Sequence, residues 1–453
     1  MTPLAHGIGS VRDLPVPTSF FYTSAAIVLV VSFTALGALW RRPLLERHGY
    51  GRPLPGRLQA LLFAKWLRVA IQAIAIGLFA LTFLSALLGT TTELLNWAPT
   101  FVYVVFWVGV PVLSVLLGNV WRVLSPWRAL ADLAVWLLEC GGRRARPILG
   151  EPTWMGRYPA AAALFAFVTL ELAHPSPAAP RTLAVAIALY TYWALAGMAL
   201  YGRDAWMRHG EGFAVAFELL SRVAPLTRRK GALVLRWPLT GLAGADRAPG
   251  ALAFLAVMIG STSFDGFSRT TFWQDLVADV RGRYADESIR VLDLVTMAVN
   301  VAGLLAFVLA VAVTYLVAVE SARLLVHAPR SLVGDFVLPL VPIAFAYLVA
   351  HYFSLLLIQG QFIVTLASDP FGRGWDLFGT AAFSPNLTIV SPATVWYVQV
   401  VSLTLGHVAG LAVAHDRAVA LFRDRADALR SQYPMLALMV LYTVGGLWLL
   451  SRG

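Results

Sequence analysis

Residues 351–418 read HYFSLLLIQGQ, then FIVTLASDPFGRGWDLFGTAAFSPNLTIVSPATVW, then YVQVVSLTLGHVAGLAVAHDRA. Two apolar spans flank a connector, 359–392, that is rich in Gly, Pro, Asp and Trp. A connector of this length without a helical period is usually either functional or disordered. Its aromatic content argues against a plain linker. The flanking spans carry His351 and His407, and ionisable groups inside apolar runs mark a functional site by default. The expectation is a site on the outer side, beneath this loop.

The rest of the chain is built the same way. Of its 453 residues, 59% are hydrophobic and only 13% are charged, with a mean hydropathy of +0.72. Soluble domains carry about 25% charge, so the fold class is an all-α polytopic transmembrane helix bundle. A span needs about 20 apolar residues. Ten are legible, at 19–40, 66–88, 99–118, 158–174, 181–201, 250–264, 291–319, 336–358, 393–414 and 433–450. In the sixth, Ser261-Thr262-Ser263 ends the apolar run early. Residues 1–18 form an N-terminal tail and 19–450 a single transmembrane domain.

Alternate connecting segments carry 26 and 8 of the Lys and Arg residues. Positive charge collects on the cytoplasmic side, which puts both termini outside. The same rule accounts for the formal charge of +11 without a nucleic-acid partner. Segments 121–139 and 204–224 read as amphipathic helices lying on the inner leaflet. Their Trp121, Trp127 and Trp206 are expected at headgroup depth, and Ser125-Pro126 is a helix start. The single Cys140 excludes an intrachain disulfide or a Cys-based cluster.

Polar residues gather at the outer ends of the spans. Glu171 and His174 have the Glu-x-x-His spacing of helical metal sites, although a polar helix end at the interface has the same spacing. Asp265 and Arg269 lie four apart, either a surface ion pair or a carboxylate at the mouth of a site. Asp293, Thr296 and Asn300 form one polar stripe, and such a stripe faces a bundle interior or water. In the loop, Asp369, Arg373 and Asp376 stand among Gly372 and Gly374, which permit tight turns. His351 lies roughly 22 Å from the inner side and His407 roughly 21 Å from the outer side. Depths that far apart disfavour a shared haem. His407, between Gly406 and Gly410, reads as a packed core histidine. The cluster His415-Asp416-Arg417 reads as polar residues at the inner boundary.

The motifs APTFVYVVFWVG (98–109), GNVWRVLSPWRAL (118–130), STSFDGFSRTTFW (261–273), SDPFGRGWDLFGT (368–380) and GHVAGLAVAHDRA (406–418) form a distinctive set. Together they resemble a bacterial membrane-protein family known as fenitrothion hydrolase. The resemblance covers nearly the whole chain. It implies hydrolysis of a lipophilic organophosphorus triester in the bacterial inner membrane, and it assigns no catalytic residues. The tripeptide AlaHisGly at 5–7 is similar to one that follows a cleaved signal in related proteins. Cleavage there leaves an N-terminal His suited to copper. Here His6 is internal and no apolar segment precedes it.

Three functions are compatible with these residues. The first is a metal-assisted hydrolase with zinc or copper on Glu171, His174 and His351 and with Asp265, Asp369 or Asp376 as catalytic carboxylates. The metal would polarise the phosphoryl oxygen and lower the pKa of a bound water. The second is a transporter or metal-handling protein that uses the same cluster, with Asn300 and His407 along a route inward. The third is a haem or quinone redox or assembly partner. The bilayer and a lipophilic small molecule are the expected partners.

Overall fold

A computed structural model describes residues 18–47, 51–142, 146–328 and 330–452. The tail bearing His6 lies outside the described residues. The spans are α1 (Thr18–Leu39), α2 (Lys65–Leu88), α3 (Trp97–Leu117), α4 (Tyr158–Ala173), α5 (Pro180–Tyr201), α6 (Ala251–Ser268), α7 (Ile289–Leu325), α8 (Leu340–Ser368), α9 (Pro392–Leu421) and α10 (Tyr433–Arg452). All are long and apolar enough to cross a bilayer except α4, which is shorter. The protein is therefore an all-α membrane protein. Tyr22 Oη donates to Ser451 Oγ at 2.5 Å, so the first turn of α1 and the last of α10 lie on the same face. An even number of crossings requires this.

Two helices form the centre. Burial reaches 72% of the apolar window of α6 and 67% of that of α8, against 11% for α1. In α6 small residues make this possible. A Cβ on Gly260 would come within 2.7 Å of the Val308 Cα, so α7 crosses α6 backbone to backbone there. Gly406 and Gly410 do the same for α9 against α8, facing the Pro342 and Pro339 carbonyls at 2.9 and 2.8 Å.

Several boundaries differ from the sequence expectation. Helix α6 does not stop at Ser261. The Ser261, Thr262 and Ser263 hydroxyls donate back to the Met258 and Ile259 carbonyls at 2.9–3.2 Å, so they need no water and the helix runs on to Ser268. Asp265 is thereby inside a buried helix and not in a loop. Helix α8 continues past Ile358 through a single 3₁₀ turn, Gln359–Gln361, and ends at Ser368. Only 369–391 is irregular. Within α3, Phe101–Gly109 winds as a π-helix, wider than its flanks.

The helix Pro126–Cys140 forms as expected, with the Ser125 hydroxyl accepting from Arg128 N and Pro126 opening the helix. The segment 204–224 breaks at Gly210–Glu211 into Arg203–His209 and a Gly212–Ser221 that is buried at every residue but Glu218. Trp121, Trp127 and Trp206 are 4–6% exposed, so they are core residues and not headgroup anchors. Glu211 draws the chain inward. Its carboxylate accepts from Trp121 Nε1 (3.1 Å), Phe213 N (3.0 Å), Ala214 N (2.8 Å) and the Tyr190 hydroxyl. Around it pack Phe106, Trp127, Phe213 and Phe217.

The arginine-rich face also carries a small antiparallel sheet, in the order β1 (Arg52–Pro53), β3 (Ala232–Leu235), β2 (Leu226–Arg229), with Arg52 opposite Leu235 and Leu226 opposite the same residue. Lys230 and Gly231 both have positive φ and form the two-residue turn of the β2–β3 hairpin.

Candidate functional site

The functional side chains come from α4, α6 and α8, near the arginine-poor ends of α4 and α6. Asp265 on α6 is 3% exposed and bonds His351 Nε2 of α8 at 2.5 Å through Oδ2. Its Oδ1 accepts from Arg269, one turn along α6, at 3.1 Å. On α8 the next residue, Tyr352, faces a different neighbour. Its hydroxyl donates to Glu171 Oε1 of α4 at 3.0 Å, and its ring stands edge-on to His351 at 5.1 Å. Consecutive helical residues point about 100° apart, so one turn of α8 serves two acids on two other helices.

Trp107, carried by the π-helix, completes the group. Among the described residues its indole N–H, which is buried, has no hydrogen-bond partner, and neither has Glu171 Oε2. Both lie close enough to interact with each other and with Tyr352. Each unpaired atom of this kind calls for a water or a ligand. A π-helix inside a span is itself a recurrent mark of functional sites.

Beside this cluster is a cavity of about 1450 Å³ between α2, α3, α4 and α5. It is almost wholly apolar, and it exceeds the roughly 300–1,000 Å³ of ordinary small-molecule sites. Phe167, one turn before Glu171 on α4, lines it, as do His174, just past the end of α4, and Leu356, one turn beyond Tyr352. The Glu171–Tyr352 pair thus stands directly behind the cavity wall.

The expected metal set is not assembled. The Glu-x-x-His geometry needs both residues in the helix, but α4 ends at Ala173. His174 is extended (ψ 139°), and its Nδ1 accepts from Ser176 N at 3.1 Å. His351 is taken by Asp265 and Glu171 by Tyr352. Among the described residues no group of three or more His, Cys, Asp or Glu is placed to hold a metal ion.

The loop carboxylates are turn formers. Asp369 accepts from the backbone of Arg373 (2.9 Å), Gly374 (2.6 Å) and Trp375 (3.2 Å), and Asp376 accepts from Ala381 N (2.9 Å). Gly372 and Gly374 have positive φ, as the turn reading requires. The Arg373 guanidinium lies over Phe371 and Trp375. The loop touches the cavity only through Ile389. The polar stripe of α7 is likewise spent locally. Thr296 donates to the Leu292 carbonyl, Asn300 accepts from Trp273 Nε1 at 3.0 Å, and Asp293 lines a separate shallow cleft with His174. His407 is fully buried, with Nδ1 at 2.8 Å from the Leu403 carbonyl and Nε2 unpaired.

Of the expected residues, the structure brings together Asp265, Arg269, His351 and Glu171. It adds Tyr352 and Trp107, which sequence reading passed over. Tyr352 was findable as the neighbour of His351. Trp107 was hidden in an aromatic run with no polar marker.

Comparison with family models, with curated proteins and with solved structures gives no match to this chain.

Proposed function

We propose that the protein is a membrane-embedded acid–base hydrolase of a lipophilic ester, in keeping with the family its motifs resemble. The observation that carries this is the Asp265–His351 bond inside the bundle, one residue from the Glu171–Tyr352 pair and beside a large apolar cavity. The apolar cavity takes the substrate from the bilayer. Asp265 fixes the imidazole and stabilises the imidazolium, as the acid of a catalytic triad does. His351 removes a proton from water. The hydroxide adds to the phosphorus of a triester, and the aryloxide leaves with the proton returned by His351. Trp107 N–H and Glu171 hold the polar end of the substrate.

The test is release of nitrophenol from a nitroaryl dialkyl phosphorothioate by protein in liposomes. His351→Gln and Asp265→Asn are expected to lower kcat about 10²–10⁴-fold, the range for a general base. Wild-type turnover no faster than that of His351→Gln would end the proposal.

A second reading is proton-coupled transport. It is favoured by His407, whose unpaired Nε2 is buried beyond Tyr347 (ring centroids 6.1 Å), one turn inward from His351. Substrate flux into proteoliposomes without breakdown, lost in His407→Gln, would select it.

A further inference from the structure

A second cavity, of about 430 Å³, opens on the arginine-rich face beside the β2–β3 hairpin, a few residues before the start of α6, whose other end carries Asp265. Arg228, Arg229 and Arg236 line it, with Thr227, Thr240 and a single acid, Glu46. Arg417 already engages Glu46, at 3.3 Å.

Arg236 is the informative residue. Its guanidinium is clamped by the carbonyls of Arg222 (2.9 Å), Ala224 (3.1 Å) and Ser221 (3.3 Å). These acceptors fix its direction but do not neutralise it, and among the described residues it makes no ion pair. Burial and the neighbouring Arg222 hold it below the usual arginine range, opposed only by Glu218. Next to it the backbone is committed to this shape. A Cβ on Gly241 would overlap the guanidinium and the Arg222 carbonyl. Leu239 is held at φ +68°, a conformation costly for a branched residue and typical of ligand clamps. A preorganised, half-buried cation without a counter-ion lacks its anion.

The surroundings identify the depth. The helix Gly56–Leu62 leaves Leu58, Leu61 and Leu62 41–50% exposed, Trp237 is 68% exposed, and Arg228 lies 4.8 Å over the Phe63 ring. Apolar side chains beside arginines belong at the headgroup layer. Arginine also matches phosphate with paired N–H donors.

We infer that this pocket binds the phosphate of an anionic ligand at headgroup depth, with Arg236 as the fixed donor and Arg228 and Arg229 closing over it.

The experiment uses the full chain in phosphatidylcholine nanodiscs. Phosphatidylglycerol is titrated in one arm and inorganic phosphate in the other, with thermal unfolding and lipid retention in native mass spectrometry as readouts. Retained phosphatidylglycerol and a rise in Tm identify a lipid headgroup. A rise in Tm with inorganic phosphate alone identifies a soluble phosphate. In either arm Arg236→Gln is expected to weaken binding about tenfold, the worth of one charge-assisted bond. Because Arg236 also clamps carbonyls, the pair Arg228→Gln/Arg229→Gln is tested beside it, and Arg290→Gln on the opposite face is the control. Binding in neither arm, or equal binding by the doubly substituted protein and the control, overturns the inference.

Discussion

Buried acids in this protein divide according to whether their oxygens are used up. Glu211 accepts from four donors and caps the helix Gly212–Ser221, so it is a structural group. Glu171 accepts from one and leaves Oε2 unmatched. The two should therefore respond oppositely to the same change. Glu211→Gln puts an amide N–H₂ among donors and should cost about 2 kcal/mol, the penalty for unmatched buried polar groups. Glu171→Gln should leave the Tm nearly unchanged and impair turnover. Paired thermal unfolding and ester hydrolysis measure both, and a large Tm loss in Glu171→Gln would make it structural too. A third acid, Asp335, has no exposed side-chain surface and accepts from Arg417 (2.5 Å), Arg330 (2.6 Å) and Arg247 (3.0 Å) on the arginine-rich face. Burial alone would raise its pKa, but Arg417 and Arg330 outweigh burial and hold it below the usual carboxylate range. A carboxyl with a depressed folded pKa stabilises the fold above its unfolded value of about 3.9 and loses that effect as pH falls through the folded value. Asp335→Asn should thus lower stability by about 3 kcal/mol at pH 7. The gap to the wild type should close below about pH 4. A constant gap from pH 7 to pH 3 would remove the ion-pair account.

The arrangement of helices explains which parts of this architecture could be read from the chain. Apolar runs of about 20 residues identify spans because a bilayer has one thickness; nine of the ten expected spans are helices long and apolar enough to cross, and the tenth, α4, is shorter. The Tyr22–Ser451 bond brings the ends of α1 and α10 together, as an even number of crossings would. What hydropathy misreads is polarity satisfied inside a helix. Ser261, Thr262 and Ser263 look like a helix end, yet their hydroxyls bond the preceding turn. That single misreading moved Asp265 from a buried helix into a loop. His174 shows the opposite error, because a spacing of three means one face only while the helix lasts, and Pro175 follows at once. The buried tryptophans deceived for a third reason, as an indole at an interface and one reaching Glu211 are the same letter. The β2–β3 hairpin left a faint signal, Lys-Gly between two short β-prone runs. At this scale the decisive contacts are the glycine crossings. Gly406→Leu would overlap Ala346 and the Pro342 carbonyl where α9 meets α8. Overpacking of this kind costs about 1–3 kcal/mol. It should also separate α8 from its neighbours and so disturb His351. Lower Tm together with lower turnover is expected, whereas Gly445→Leu, with open space around it, should change neither.

Taken whole, the molecule sets the buried Asp265–His351 and Glu171–Tyr352 pairs beside a large apolar cavity. The cavity between α2, α3, α4 and α5 reaches from Trp121 and Trp127 near the arginine-rich end to His174 and Gln361 near the other. On the proposed function, a substrate dissolved in the bilayer enters it without crossing water. Ala162 and Ala166, one turn apart on α4, form part of its wall, and Ala166 lies one turn before Leu170, next to Glu171. Two small residues there keep the approach to the cluster open. Ala162→Trp and Ala166→Trp should fill it without touching Asp265 or His351. If substrate arrives by this route, KM for a lipophilic triester rises about tenfold, the effect of losing roughly 1.4 kcal/mol of apolar contact. Hydrolysis of a short, water-soluble ester entering from the arginine-poor face should keep its kcat. That split separates access from chemistry, because damage to the dyad would lower kcat for both esters alike. Equal KM values for the long ester in the wild type and both tryptophan variants would show that the cavity is not the way in, and would leave the cluster to be reached from above, through the irregular segment 369–391.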